Sequence, residues 1–241
     1  MFEAKFKLKH IGIVGGLSPE STREYYKIIC DEYNQQVGGL NFPQITIRSL
    51  NLQEIVDLFR NNKWDEMADV IVSAIHDLQR AGADFAAIAT NTPHNAYDRI
   101  KAYSPLEVLS IMDATTQEIQ RDGLTKVGLL GTKPTMEYGF FQKTFASYGI
   151  ETIIPEAEDR AEINQIIWRE LVHGKITDTS KRMYQEVIDK LVNKGAKGII
   201  LGCTEIPLLI KQSDSPVKVY DTTAIHARAI LNYAMNERES K

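Results

Sequence analysis

The sequence predicts an α/β protein made of two similar lobes, each built on a parallel sheet. Two observations carry that reading. Along the whole 241-residue chain, short apolar runs ending in glycine or small polar residues alternate with segments of helical periodicity. The pattern also restarts midway. Gly12-Ile13-Val14-Gly15 returns as Gly128-Leu129-Leu130-Gly131, and the apolar run from Gly82-Ala83 to Thr90 returns between Gly195-Ala196 and Cys203. Met112-Asp113-Ala114-Thr115 is matched to Tyr220-Asp221-Thr222-Thr223. Separations of 116, 113 and 108 residues fit an internal duplication with a few loop insertions or deletions. Lobes related by a pseudo-two-fold axis would set equivalent strand ends opposite each other across a cleft, where ligands of open parallel sheets are expected. The expected lobes are residues 1–105 with 216–241, and 106–215. The linkers are expected near Tyr103–Leu106 and Ser213–Val217, with the last helix returning to the first lobe.

The elements follow in order. Ile11 to Gly16 reads as a strand running into a glycine turn, and Pro19 opens an amphipathic helix to about Tyr33. Pro43 to Leu50 is the second strand. Trp64 to Arg80 carries Met67, Val70, Ile71, Ala74, Ile75 and Leu78 at helical spacing and stops at Gly82. Phe85 to Ala89 is the third strand, and Asn91-Thr92-Pro93-His94 starts a helix. Glu107 to Met112 is the fourth strand, with Asp113 to Thr116 capping the next helix. The second round gives a strand at Lys126–Thr132, a helix at Thr135–Tyr148, a strand at Glu151–Ile154, helices at Ala161–Val172 and Ser180–Asn193, a strand leading to Cys203, a strand at Val217–Tyr220 and a final helix capped by Asp221-Thr222-Thr223.

Composition narrows the function. Apolar residues at 43% and charged residues at 25% are ordinary for a soluble globular chain, and a net charge of −4 offers no basic face for nucleic acid. Cys30 and Cys203 lie too far apart in sequence for metal-ligand spacing, and a disulfide framework is not expected; both points fit a reducing cytoplasm. Met1 to His10 lacks an apolar signal core, and no run approaches the length of a membrane helix.

The candidate site lies at the strand ends. Glycines 12, 15 and 16 miss the G-x-G-x-x-G spacing of a dinucleotide fold, and strand two ends in Ser49-Leu50-Asn51 without the acidic residue. Gly15, Gly16, Leu17 and Ser18 suit either close backbone approach to a small anion or a plain tight turn. Cys203 sits where a buried strand meets a helix start, whose N–H groups favour a thiolate. Thr90 holds the equivalent position in the first lobe. Asn91, Thr92 and Thr204 offer donors for a carboxylate or an enediolate-like charge, and Thr132 and Thr135 repeat the anion nest in the second lobe. Glu205 suits either an ammonium group or a helix cap. His94 suits either an orienting role or an ordinary helix position. Cys30, His76 and His226 read as structural.

Taken together, Ile13-Val14-Gly15-Gly16-Leu17-Ser18-Pro19-Glu20-Ser21-Thr22, Thr90-Asn91-Thr92-Pro93-His94, Leu129-Leu130-Gly131-Thr132 and Gly202-Cys203-Thr204-Glu205-Ile206-Pro207 resemble the aspartate/glutamate racemase superfamily, and most of all its aspartate racemase branch. The resemblance covers nearly the whole chain in motif order. It implies two Rossmann-like lobes and a homodimer. It also implies an acidic amino acid as substrate, with neither pyridoxal phosphate nor metal as cofactor. In such enzymes a cysteine from each lobe flanks Cα; one removes the α-proton and the other returns one to the opposite face. Here Thr90 stands at the first of those positions, making a Thr/Cys variant with Cys203 as principal acid/base, similar to branches that prefer L-aspartate and L-glutamate. A diacid isomerase or decarboxylase of the same superfamily, or a non-catalytic protein binding acidic amino acids, are the competing readings. Arg48 and Lys175 are the basic residues considered for the side-chain carboxylate, and no motif match assigns either.

Overall fold

The computed structural model describes residues 8–235. Met1 to Lys7, most of the segment read above for a signal core, lie outside that range. Of the described residues, 8–110 and 226–235 form one compact unit and 111–225 the other.

The first unit opens with β1 (Ile11–Gly15), α1 (Pro19–Val37), β2 (Ile45–Ser49), α2 (Leu52–Arg60), α3 (Trp64–Arg80) and β3 (Phe85–Ile88). A 3-10 turn (Thr92–Ala96), α4 (Tyr97–Tyr103) and β4 (Val108–Leu109) complete it before the crossing. Its four strands are parallel, in the order β2-β1-β3-β4. Alternation splits the buried residues between the two faces. Ile11, Ile13, Phe85, Ala87 and Ala89 pack with Tyr25 and Ile29 of α1 and with Ala227, Ile230, Leu231 and Ala234. The other face lies under α3, whose Met67, Ile71, Ile75 and Leu78 are fully buried. Each such side chain contributes about 1.5–3 kcal/mol on leaving water.

The second unit holds α5 (Ile111–Arg121), β5 (Lys126–Gly131), α6 (Lys133–Glu137), α7 (Phe140–Ser147), β6 (Glu151–Ile153), α8 (Ala157–Arg169), α9 (Asp178–Asn193), β7 (Gly198–Gly202), α10 (Ile206–Leu209) and β8 (Lys218–Asp221). Its sheet is again parallel, in the order β6-β5-β7-β8. Leu130, Ile199, Leu201 and Cys203 share a cluster with residues of α8 and α9, among them Ile163, Ile167, Tyr184 and Ile188. α11 (Thr222–Met235) starts in this unit, and its residues from His226 onward belong to the first.

Strand register tests the duplication residue by residue. Gly12 pairs with Ala86 and Gly128 with Ile199, so the matches of Gly12 to Gly128 and of Thr90 to Cys203 are mutually consistent. The third match shifts. Val108 pairs with Ala86 and Val219 with Ile199, which makes Val108 the counterpart of Val219 and places Met112 already inside α5. The strand expected at Glu107–Met112 is therefore only two residues long. The same pairings move the unit boundaries. β4 hydrogen-bonds β3 and β8 hydrogen-bonds β7, so each sheet keeps its fourth strand, and the crossings fall after Ser110 and after Ile225, not in 103–106 and 213–217.

Several elements differ from expectation for local reasons. α2 is an addition; Leu52, Ile55, Val56 and Phe59 recur at helical spacing behind an Asn51 cap that accepts from the Gln53 N–H. The helix expected over 135–148 is two, α6 and α7, separated by Tyr138 and the left-handed Gly139. α8 begins at Ala157 inside the acidic run, with Glu158 and Asp159 in its first turn where negative charge suits the helix dipole. Gly82 and Gly195 end α3 and α9 alike. In each, the glycine N–H bonds a carbonyl three residues back (Gln79, Val192) and the next N–H reaches Leu78 or Leu191, with φ of 90° and 100° that a side chain would oppose.

Candidate active site

In the first unit the loop after β1 is fixed by its own chain. Gly16 has φ of 79°, and a Cβ there would sit 2.2 Å from the Leu50 carbonyl oxygen. Its N–H donates to Thr22 Oγ1 at 2.8 Å, and that hydroxyl donates to the Ser18 carbonyl at 2.9 Å. The glycines thus allow the β2–α2 connection to close over the turn. Leu17 and Ser18 are buried, and Ser18 caps α1 by accepting from the Ser21 N–H.

Ser21 Oγ donates to the Ala89 carbonyl at 2.6 Å, joining the start of α1 to the end of β3. Thr90 follows, its N–H bonded to the Ile88 carbonyl at 2.8 Å in a three-residue turn. Thr90, Asn91 and Thr92 are all buried. The helix expected after them is first a 3-10 turn, with Pro93 in its opening positions. His94 lies fully buried beneath this segment, stacked on Tyr97 with centroids 5.5 Å apart. Burial lowers its pKa to about 4, against the pull of hydrogen bonds to the Thr90 and Asn91 backbone. A neutral imidazole therefore packs against the turn that carries Thr90.

His226 sits edge-on to His94 at 6.3 Å. Its Nε2 lies 3.1 Å from the Leu109 carbonyl, which can only accept, so Nε2 carries the proton and the Tyr25 hydroxyl donates to Nδ1 at 2.9 Å. Burial, and then the neighbouring His94, lower its pKa to about 3. The structural reading of His226 stands, with its partners now named.

In the second unit, Thr132 caps α6; its hydroxyl lies 3.0 Å from that of Thr135 and accepts from the Thr135 N–H. Gly131 pairs with Gly202, so this buried turn adjoins the end of β7. There Cys203 is buried and its thiol donates to Glu205 Oε2 at 3.0 Å. The Thr204 hydroxyl donates to the same oxygen at 2.8 Å. Glu205 is itself buried and makes no side-chain hydrogen bond to the helix it precedes, which removes the capping role. Burial above all, then the charge of Glu205 and the hydrogen bond to it, push the Cys203 thiol well above its ordinary pKa. The backbone of Thr204 and Glu205 pulls the other way, as a helix start should, and is outweighed.

The expected site residues thus gather in two groups. Leu17, Ser18, Thr90, Asn91 and Thr92 lie at the ends of β1 and β3, and Thr132, Thr135, Cys203, Thr204 and Glu205 at the ends of β5 and β7. Ser21, Thr22 and Tyr184 escape a reading by motif. Ser21 and Thr22 read as helix openers, whereas their hydroxyls hold the two loops. Tyr184 looks like one more core position of α9, yet it is buried close enough to Cys203 and Glu205 for their charges to help raise its pKa well above normal, after burial. Arg48 bonds Asp77 at 2.8 Å on the half-exposed edge of β2, and Cys30 is a buried thiol in α1.

Two parallel α/β units, with a threonine in one and a cysteine in the other at register-equivalent strand ends, define a duplicated α/β architecture. Residues 14–230 match the family described as Asp/Glu/Hydantoin racemase, and the chain belongs to that family, whose racemases are isomerases by class. It is 26% identical over 225 residues to the broad specificity amino-acid racemase RacX of Bacillus subtilis, covering 92% of this chain and 96% of the relative. Among solved structures it resembles a candidate Asp/Glu racemase from Yersinia pestis, with 43% identity and a TM-score of 0.89 over 95% of this chain and 100% of that one. An aspartate racemase homologue from Pyrococcus horikoshii OT3 is 37% identical, with a TM-score of 0.82 over 94% and 99% of the two chains. No helix among the described residues is long and apolar enough to cross a membrane.

Proposed function

We propose that this chain racemises aspartate, and glutamate as a second substrate, without a cofactor, using Cys203 as its principal acid/base. The observation that carries the reading is the pair of register-equivalent strand ends, one with Thr90 and the other with a buried thiol hydrogen-bonded to a carboxylate. The α-carbon of the substrate would lie with Cys203 on one face and Thr90 on the other. Cys203 takes the α-proton; the electron pair left on Cα spreads into the carboxylate, steadied by donors such as Asn91, Thr92 and Thr204. Return of a proton to the same face regenerates the starting enantiomer, and return to the other face inverts it. A hydroxyl is a far weaker acid than a thiol, so Thr90 delivers that second proton slowly or positions a water that does. This makes exchange faster than inversion and biases the enzyme toward L substrates, while the equilibrium between free enantiomers stays at one. On the same reading the protein is a cytoplasmic homodimer, which sedimentation of the purified chain checks.

The test is NMR of L- and D-aspartate and L- and D-glutamate in D₂O with the protein. Loss of the α-proton signal is expected for the L forms, with slower appearance of the D forms. Cys203→Ala should abolish it, and exchange at the parental rate would remove Cys203 from the mechanism. Thermal stabilisation by aspartate with no exchange at all would instead make the chain a binding protein. Turnover of maleate or a substituted malonate would move it to diacid chemistry.

A further inference from the structure

The Ser21-Thr22 pair that opens α1 does more than start a helix. Beyond the paired residues Val14 and Ile88, the next rung of a parallel ladder would join the Gly16 N–H to the Ala89 carbonyl. That rung is split between two hydroxyls. The Gly16 N–H donates to Thr22 Oγ1 at 2.8 Å, and Ser21 Oγ donates to the Ala89 carbonyl at 2.6 Å. The Ala89 N–H still bonds the Val14 carbonyl at 3.0 Å, so the ladder runs up to Ala89 and stops there. The chain then folds back, with the Thr90 N–H 2.8 Å from the Ile88 carbonyl. Ser21 and Ala89 are both buried, so removing the hydroxyl would leave that carbonyl without a donor. The second unit holds its strand end differently. Thr222 Oγ1, at the start of α11, donates to the Leu201 carbonyl at 2.9 Å, and Leu201 is the register counterpart of Ile88, not of Ala89.

We infer that Ser21 is a positioning residue for Thr90. Through its bond to the Ala89 carbonyl it fixes the turn that aims the Thr90 hydroxyl, and so it governs how often proton loss from the substrate ends in inversion. The inference rests on the racemase reading for the part Thr90 plays in inversion, and on the split rung for the hold. Ser21 acts through Ala89 and Thr90, not on the substrate. Aim matters more on this face than on the other. A hydroxyl that is already a weak acid, or a water placed by it, has little proton-donating power to spare, and a misplacement of about 1 Å can cost about a hundredfold. Release of the ladder at Ala89 frees Thr90 from the sheet, and Ser21 restores from α1 the fixed position that the sheet no longer supplies.

The readout is a ratio: the rate at which D-aspartate appears over the rate at which L-aspartate loses its α-proton, both followed by NMR in D₂O. Partial loss of folded protein lowers both rates together and leaves the ratio alone. Ser21→Ala should lower the ratio at least roughly tenfold. Ser21→Thr, which keeps a hydroxyl, should restore most of it. Thr222→Val removes the hydroxyl that holds the other strand end; it should slow α-proton loss and leave the ratio at the parental value. Amide hydrogen exchange reports the hold without any turnover. In Ser21→Ala the Thr90 N–H should exchange at least roughly tenfold faster, while the Ala89 N–H, which stays on the ladder, keeps its parental rate. Should Ser21→Ala not fold, Ser21→Cys, with its weaker donor, carries the test and should give an intermediate ratio. An unchanged ratio in Ser21→Ala, or an equal fall in Thr222→Val, overturns the inference. If the parent exchanges no amino acid, the racemase reading fails and the claim about inversion falls with it, whereas the amide rates still decide whether Ser21 holds the turn.

Discussion

Acid should destabilise this protein through two buried histidines of the first unit. His94 has a pKa of about 4 and His226 of about 3, against 6.5 for a free imidazole. Both are depressed, so the unfolded chain binds protons that the folded chain refuses. Stability is complete above pH 6.5 and is lost as pH falls from there toward the folded values. At pH 5 the unfolded imidazoles are almost fully protonated and the folded ones almost fully neutral. Each then costs about 2 kcal/mol relative to pH 7.5, from 1.36 kcal/mol per pKa unit, or about 4 kcal/mol for the two. Because both are neutral in the folded state at pH 5, their mutual repulsion does not enter there, and the two effects add. That is a large share of the 5–15 kcal/mol typical of a folded domain. The assay is urea unfolding at pH 7.5 and 5. His226→Gln keeps an N–H for the Leu109 carbonyl, and it should halve the difference between the two pH values to about 2 kcal/mol while lowering stability at both. A parent protein equally stable at pH 5 and 7.5, or a variant with an undiminished difference, would refute the assignment of neutral buried imidazoles.

Two further outcomes follow from the strand ends. Gly16→Ala places a Cβ against the Leu50 carbonyl at 2.2 Å with φ of 79°, and should cost about 2–4 kcal/mol in urea unfolding. Thr90→Cys supplies an acid near the thiol range on the first strand end, and should raise the rate at which D-aspartate appears relative to α-proton loss from L-aspartate; an unchanged ratio would mean that Thr90 does not face Cα.

Much of the fold was legible because parallel strands buried on both faces read as uninterrupted apolar runs. Phe85-Ala86-Ala87-Ile88 and Gly198-Ile199-Ile200-Leu201 show it, and α3 was bounded to the residue by its periodicity and by Gly82. β4 was not, because two residues of strand carry no period and its pairing with β3 is a long-range fact. α2 went unread although its pattern is clear, since nine residues between a strand and a longer helix look like a connection. The equivalence of Thr90 and Cys203 was legible from the repeat. Partners were not: a Ser-to-carbonyl bond across 68 residues, or a tyrosine meeting a histidine across 201, leaves no local pattern. The reading of Cys203 as a favoured thiolate needed the same correction. Sequence shows the helix start that follows the cysteine, but not that burial and Glu205 outweigh it.

The register also changes what is asymmetric about this enzyme. The spacing that sets Thr90 against Cys203 sets Asn91 against Thr204 and Thr92 against Glu205. At these positions the first unit therefore has neither the thiol nor the carboxylate that are hydrogen-bonded in the second. In place of thiol and carboxylate it carries two hydroxyls, over a histidine that burial keeps neutral. A cysteine placed at position 90 would have a threonine, Thr92, at the place that Glu205 holds beside Cys203. Thr90→Cys alone is then a proton donor improved over a hydroxyl but a poor base. On the proposed mechanism it should speed the L-to-D direction more at the level of single turnovers than the reverse. Adding Thr92→Glu reproduces the thiol and carboxylate spacing of the second unit, and the difference between the single and double variants measures what the carboxylate adds.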